Sequence, residues 1–162
     1  MAPKAGCPTE IQPRDLTGLR LLVELPALRK LADRGLSDQE LAVVRKLADA
    51  TMRSARRGDV LGYLRADMIF HLCLLELTGD PALSVVARLL LAPGVMPAPR
   101  LEGSRLEESG VLMTAGAREH GELVDMLADE MVNAADDLLR CHVARLWPGP
   151  ASAAGRAANH LR

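Results

Sequence analysis

The sequence predicts an all-helical, single-domain fold, and three observations carry that reading. Leu (29) and Ala (24), both strong helix formers, make up about a third of the 162 residues. Sheet-building residues are scarce: 11 Val, 2 Ile, 5 Thr and one each of Tyr, Phe and Trp. Apolar residues recur at three- and four-residue spacing between breaks at Gly, Pro and Asp. At this length one core is the natural expectation, with 1–14 as a lead-in, 15–147 as the bundle and 148–162 as an Ala/Gly-rich tail.

Each element has its own signal. Asp15–Arg34 places Leu19, Leu22, Val23, Leu25, Leu28 and Leu31 on an apolar face and stops at Gly35, with Pro26 marking a kink or a new first turn. Ser37-Asp38-Gln39-Glu40 is a capping box that opens a helix to about Arg57, with Leu41, Val44, Leu47 and Met52 inward. After Gly58-Asp59 a third helix runs from Val60 to Leu77 and closes at Thr78-Gly79-Asp80-Pro81. A fourth spans Ala82 to about Leu91, before Pro93-Gly94, Pro97 and Pro99. Beyond an ambiguous stretch at 100–110, helical pattern returns from Val111 to Trp147.

The global numbers exclude several functions. Twenty basic and twenty-one acidic residues give a net charge of −1, which offers no field for nucleic acid or an anionic membrane. Three aromatics cannot form a base-stacking platform, and no apolar run is long enough to span a bilayer. The N-terminus lacks the apolar stretch of a signal peptide, and Cys7, Cys73 and Cys141 are odd in number and far apart. The expectation is a cytoplasmic protein with reduced thiols, Cys73 and Cys141 being small core residues. No nucleophile elbow or phosphate-binding glycine loop is present. The acidic pairs Glu107-Glu108, Asp129-Glu130 and Asp136-Asp137 read as exposed faces.

Histidine is where chemistry concentrates. Of four, His160 falls in the tail and His71, His120 and His142 fall in helices. Asp67 and His71 stand four apart, about 6 Å at Cβ on one helix face, where they can share a metal ion or simply a hydrogen bond. His120 and His142 are 22 residues apart, roughly 33 Å on one straight helix. A reversal near residue 131, with Asp129 or Asn133 as N-cap, returns both to one end of a helical hairpin. Three imidazoles and a carboxylate then suit zinc, with nickel or manganese as alternatives, and leave open positions for water or a small anion.

The order of motifs carries a resemblance. Arg20-x-x-x-Glu24 comes first, then Asp67-x-x-Phe70-His71, Thr78-Gly79-Asp80-Pro81-Ala82-Leu83, Glu119-His120 and finally His142. Over roughly Thr17–Leu146 this resembles the FCD domain, the C-terminal effector-binding domain of FadR-type GntR transcription regulators. The resemblance implies an antiparallel bundle of six to seven helices and a divalent metal held by Asp67, His71, His120 and His142. It also implies a small carboxylate effector beside the metal, with Arg20 as its partner, and a homodimer or a heterodimer with a full-length regulator.

The sequence departs from the family in three places. About fifteen residues precede the first bundle helix, where relatives carry a winged helix-turn-helix, so no direct nucleic-acid binding by this chain alone is expected. Glu130-Met131 stands where Gly-Asp is common, and the Pro93–Gly103 stretch interrupts what is often one long helix. The expected function is a ligand-responsive switch without turnover. The alternatives are a metal-free dimerisation bundle and a metal-dependent hydrolase or hydratase, for which Glu119 is the one nearby base.

Overall fold

The computed structural model describes residues 13–90 and 106–146, and within them the chain forms six helices and no strand. They are α1 (Pro13–Arg34), α2 (Asp38–Arg56), α3 (Val60–Leu77), α4 (Pro81–Leu90), α5 (Leu106–Ala128) and α6 (Val132–Leu146). The predicted all-α bundle is therefore observed. The first twelve residues of the 1–14 lead-in, the Pro93–Gly103 stretch, Trp147 and the tail with His160 lie outside the described residues, and the last two residues of that lead-in, Pro13 and Arg14, open α1.

Helix ends follow local chemistry. At the start of α2 the Ser37 hydroxyl accepts from the Glu40 amide (3.3 Å), and the Glu40 carboxylate accepts from the Ser37 amide (2.8 Å). Asp59 caps α3 by accepting from the Gly62 amide at 2.9 Å, and Asp80 accepts from the amides of Ala82 and Leu83 at the start of α4. The turns after α1 and α2 place Gly35 and Gly58 at φ 73° and 66°. The α5–α6 turn does the same with a side chain present: Glu130 sits at φ 57°, and the Met131 amide donates to the Met126 carbonyl at 2.8 Å. The reversal falls where the histidine spacing required it. Its cap is different, because α6 begins after Met131, whose carbonyl accepts from Ala135; Asp129 precedes that position and Asn133 lies inside the helix.

α2 packs on α3 and α5, while α1 packs on α6, α3 and α4, and α5 closes on α6. The main core joins Leu25, Leu28 and Leu31 of α1 with Val44, Phe70, Leu74, Leu123, Leu127, Leu139 and Val143. α1 runs unbroken through Pro26. The carbonyl that Pro26 cannot serve belongs to Leu22, which is 72% exposed and so has water beside it.

That exposure corrects one expectation. Leu19 and Leu22 point outward, because the inward stripe of α1 is Arg20, Glu24, Ala27, Leu28 and Leu31. Cys141 is also exposed, not in the core, and Asp136 is buried, with its carboxylate paired to Arg29 across α1 and α6. In each case the period was read correctly but its phase was set by polar residues that the bundle buries.

Candidate metal and effector site

The inward stripes of four helices converge on a polar centre. α3 presents Tyr63, Asp67 and His71 at successive turns; α5 presents Gly116 and His120; α6 contributes His142 and α1 contributes Arg20 and Glu24. Asp67, His71, His120 and His142 are all buried, and one ligand atom from each lies within 4.8 Å of the others. The Nε2 atoms of His71 and His120 both lie 3.2 Å from His142 Nε2. Asp67 Oδ1 is 3.3 Å from His120 Nε2, 3.6 Å from His142 Nε2 and 3.8 Å from His71 Nε2. Ligand atoms about 2.1 Å from a common tetrahedral ion stand roughly 3.4 Å apart, so these separations match a metal's demand.

The far side of each ring fixes which nitrogen faces the centre. His120 Nδ1 is 3.0 Å from the Thr51 hydroxyl, whose own proton goes to the Ala48 carbonyl at 2.7 Å; Nδ1 is therefore the donor and Nε2 carries the lone pair. His142 Nδ1 lies 3.0 Å from Glu119 Oε2, and Arg145 holds the other Glu119 oxygen at 2.6 Å. Glu24 Oε2 is 2.9 Å from His71 Nδ1, in ion-pair contact but without the alignment of a hydrogen bond. Outer oxygen partners of this kind orient metal-binding imidazoles. Phe70 packs the set, stacked at a tilt on His120 (4.3 Å between centroids) and edge-on to His71 (5.3 Å).

The electrostatics ask for a cation. Two facing Nε2 atoms cannot both carry a proton, and Asp67 Oδ1 has no hydrogen-bond partner among the described residues. Burial, reinforced by the His142 ring, pushes His120 down to about 3. Burial acts the same way on His142, but the neighbouring carboxylates of Asp67 and Glu119 outweigh it and raise that group. Burial also opposes ionisation of Asp67, yet His120 and His142 hold it well below the carboxylate range. Three nitrogen donors and one carboxylate, sharing one missing positive charge, fit a divalent ion.

Arg20, for which a solvated surface position was the plain alternative, is 2% exposed. Its Nε donates to Glu24 Oε1 at 2.7 Å, and its Nη2 has no partner among the described residues. Burial opposes the charge on Glu24, but Arg20 and then His71 outweigh it and lower its pKa to about 2. All five residues singled out from sequence are thus in one buried cluster. The sequence reading missed Thr51, Tyr63, Gly116 and the inward role of Glu119. Tyr63 was findable, being four residues before Asp67 on the same stripe; Thr51 was not, because its partner is 69 residues away.

Comparison with known proteins places this geometry. The chain matches the FCD domain family over residues 15–145. No curated protein matches it in sequence. Among solved structures it is similar to Escherichia coli McbR/YncC (TM-score 0.67, 20% identity, 84% of this chain and 64% of that one). It is also similar to Listeria monocytogenes Lar, which controls expression of the agr system (0.66, 15%, 84% and 63%), and to Streptococcus agalactiae GntR (0.63, 22%, 85% and 58%). The chain spans about three fifths of the length of these structures. FCD domains are the regulatory, effector-binding domains of GntR-type regulators and are not enzymes, so the hydrolase alternative is set aside. Among the described residues no helix is long and apolar enough to cross a membrane.

Proposed function

The chain belongs to the FCD family, and from that premise we propose that it is a metal-dependent sensor of a small carboxylate. Asp67, His71, His120 and His142 hold the divalent ion, zinc in the first instance, and Arg20 pairs with the effector's carboxylate. The observation that supports this reading is the convergence of three imidazole Nε2 atoms and Asp67 Oδ1, with an oxygen partner behind each ring. Bound there, the ion supplies positive charge and free coordination positions for an oxygen ligand.

The chain's own residues do the rest. Glu24 touches both Arg20 and His71, so a carboxylate that engages Arg20 alters the charge seen by a metal-binding ring on another helix. Glu119 performs the equivalent link between His142 and Arg145. Effector binding thereby draws on contacts from α1, α3, α5 and α6 together, which is what shifting a bundle between two packings requires. In a complete regulator this shift would alter how paired DNA-binding domains are spaced, through a homodimer or a heterodimer with a full-length relative.

Elemental analysis of the purified chain beside Asp67→Ala/His142→Ala tests the reading. Stoichiometric metal in the parent, absent from the variant, is the expected result. A metal-free parent whose melting is unchanged by zinc or by chelator would favour the dimerisation bundle and sink the sensor.

A further inference from the structure

Four carboxylates are buried among the described residues, and three of them stand at the histidine set: Glu24 beside His71, Asp67 among the rings and Glu119 beside His142. The fourth, Asp136, serves no ring. Burying a carboxylate is costly, and native folds rarely leave such a group only half satisfied without a reason. Asp136 Oδ2 accepts from Arg29 Nε at 2.7 Å and pairs with Nη2 of the same guanidinium, while Oδ1 has no partner among the described residues. The adjacent Asp137 is exposed, as the sequence pattern predicts for both acids.

The place of Asp136 in the bundle supplies that reason. α6 carries His142, and among the described elements it packs only on α1 and α5, whereas α3 and α5 are each wedged between helices on several sides. α1 and α6 are bridged at two levels. At one, Glu24 of α1 and His142 of α6 both reach His71, at 2.9 and 3.2 Å. At the other, about one and a half turns or roughly 8 Å along the helices, Arg29 meets Asp136 directly. The remaining residues these two helices bring to the core are apolar: Leu25, Leu28 and Leu31 from α1, Ala135, Leu139 and Val143 from α6. Apolar burial is non-directional and tolerates sliding of one helix along another; a hydrogen-bonded ion pair does not.

We propose that Arg29 and Asp136 are a positioning pair for the metal centre: they fix the register of α6 against α1 and thereby the place of His142 Nε2 among the other donors. The inference rests on the metal reading above and adds to it two residues that touch neither the rings nor Asp67. His142 depends on such a pair more than the other ligands do. Asp67 and His71 keep their spacing within α3, and the His120 ring is held by Thr51 of α2. The other attachment of α6 is the turn at Glu130, a side-chain-bearing residue at φ 57°. A metal site holds its ligand distances to within about 0.2 Å, so a slip of α6 by a fraction of one residue's rise, about 1.5 Å, is enough to weaken it.

The test reads zinc affinity by competition with a chromophoric chelator, and ligand geometry by the visible spectrum of the cobalt-loaded chain. Asp136→Asn should weaken zinc roughly tenfold, the low end of what residues behind the ligands contribute, and should alter the cobalt bands. Arg29→Gln, at the half-exposed partner, should do the same and keeps the test open if Asp136→Asn does not fold. Arg29→Met/Asp136→Leu should melt no lower than the parent, since apolar packing can replace a buried pair, yet bind zinc as weakly as either single variant. Zinc affinity that returns together with the melting temperature would make the pair a purely structural one and overturn the proposal. Arg45→Gln breaks the exposed Arg45–Asp125 pair between α2 and α5 and should leave affinity and spectrum at parental values. A loss equal to that of Arg29→Gln would overturn the proposal, because any inter-helix pair would then serve. Variants at Arg29 and Asp136 that bind zinc as the parent does, with an unchanged spectrum, overturn it too and leave the sensor reading intact. A parent that takes up neither zinc nor cobalt removes the sensor reading and this inference with it.

Discussion

Two arginine–glutamate pairs anchored on α1 show what the bundle does to identical chemistry. Arg20 and Glu24 meet at 2.7 Å with 2% and 6% of their surface exposed, while Arg34 and Glu40 meet at 3.0 Å with 39% and 25% exposed. Both glutamates are held at about 2, for opposite reasons. Glu40 is solvated and is held there by the hydrogen bonds of Arg34 and of the Ser37 cap. Glu24 pays heavily for burial and is kept ionised only because Arg20, and behind it His71, outweigh that cost. The outer pair finishes a helix end, whereas the inner pair maintains charge inside an apolar bundle, which folding by itself does not require.

The comparison breaks first, if it breaks, at Glu24. Glu24→Gln should cost about 3–5 kcal/mol in urea unfolding, because it leaves Arg20 as an uncompensated buried charge. Replacing both partners, as Arg20→Met/Glu24→Leu, should recover most of that loss while abolishing the response to carboxylates. A single-variant loss under about 1 kcal/mol would mean that water reaches Arg20 and that the two pairs are alike after all.

Metal addition should come next in size. Zinc at a hundred times its dissociation constant should raise the unfolding free energy by about 2.7 kcal/mol, and a chelator should return it. Glu119→Gln should weaken zinc binding roughly 10–100-fold by loosening His142, read by competition with a fluorescent chelator. A variant that binds zinc as the parent does would show that Glu119 only tethers Arg145.

At the outer pair the effects should be small. Ser37→Ala should cost about 1 kcal/mol through the lost cap of α2, measured by thermal or urea unfolding. Arg34→Ala should cost less than about 1 kcal/mol, and the difference should shrink in high salt. The pH dependence has a definite sign. Because folding lowers Glu40 from 4.5 to about 2, its contribution is complete above 4.5 and is lost as the pH falls through 2. The stability gap between the parent and Glu40→Gln should therefore close on acidification from pH 5 to pH 2; a gap that widens would contradict the assignment.

How much was legible in the sequence depended on whether the cause was local. The Ser37–Glu40 cap, the glycine turns and the third helix from Val60 to Leu77 were read to within a residue, because each is set by contacts within a few positions of chain. The pairing of Asp67 with His71 was open as metal ligation or an ordinary hydrogen bond, and only the arrival of His120 and His142 distinguishes a four-donor centre from an i,i+4 contact. Leu22 and Cys141 were assigned to the core because hydropathy cannot tell which phase of an amphipathic helix a polar residue will claim.

Composition and punctuation alone determined the helical class, the boundaries of α2 and α3 and the short list of residues with metal-binding chemistry, while the start of α5 at Leu106 fell in the stretch that the pattern left ambiguous. The tertiary structure decided which polar residues go inside. It turned Arg20, Glu24 and Glu119 inward, gave each imidazole its oxygen partner, and set Gly116 against the phenol of Tyr63. The physical reason is that burying a polar or charged group is favourable only beside its partner; Arg20 and Glu24 find each other within α1, but the other partners come from different helices, as far away in sequence as the 69 residues between Thr51 and His120.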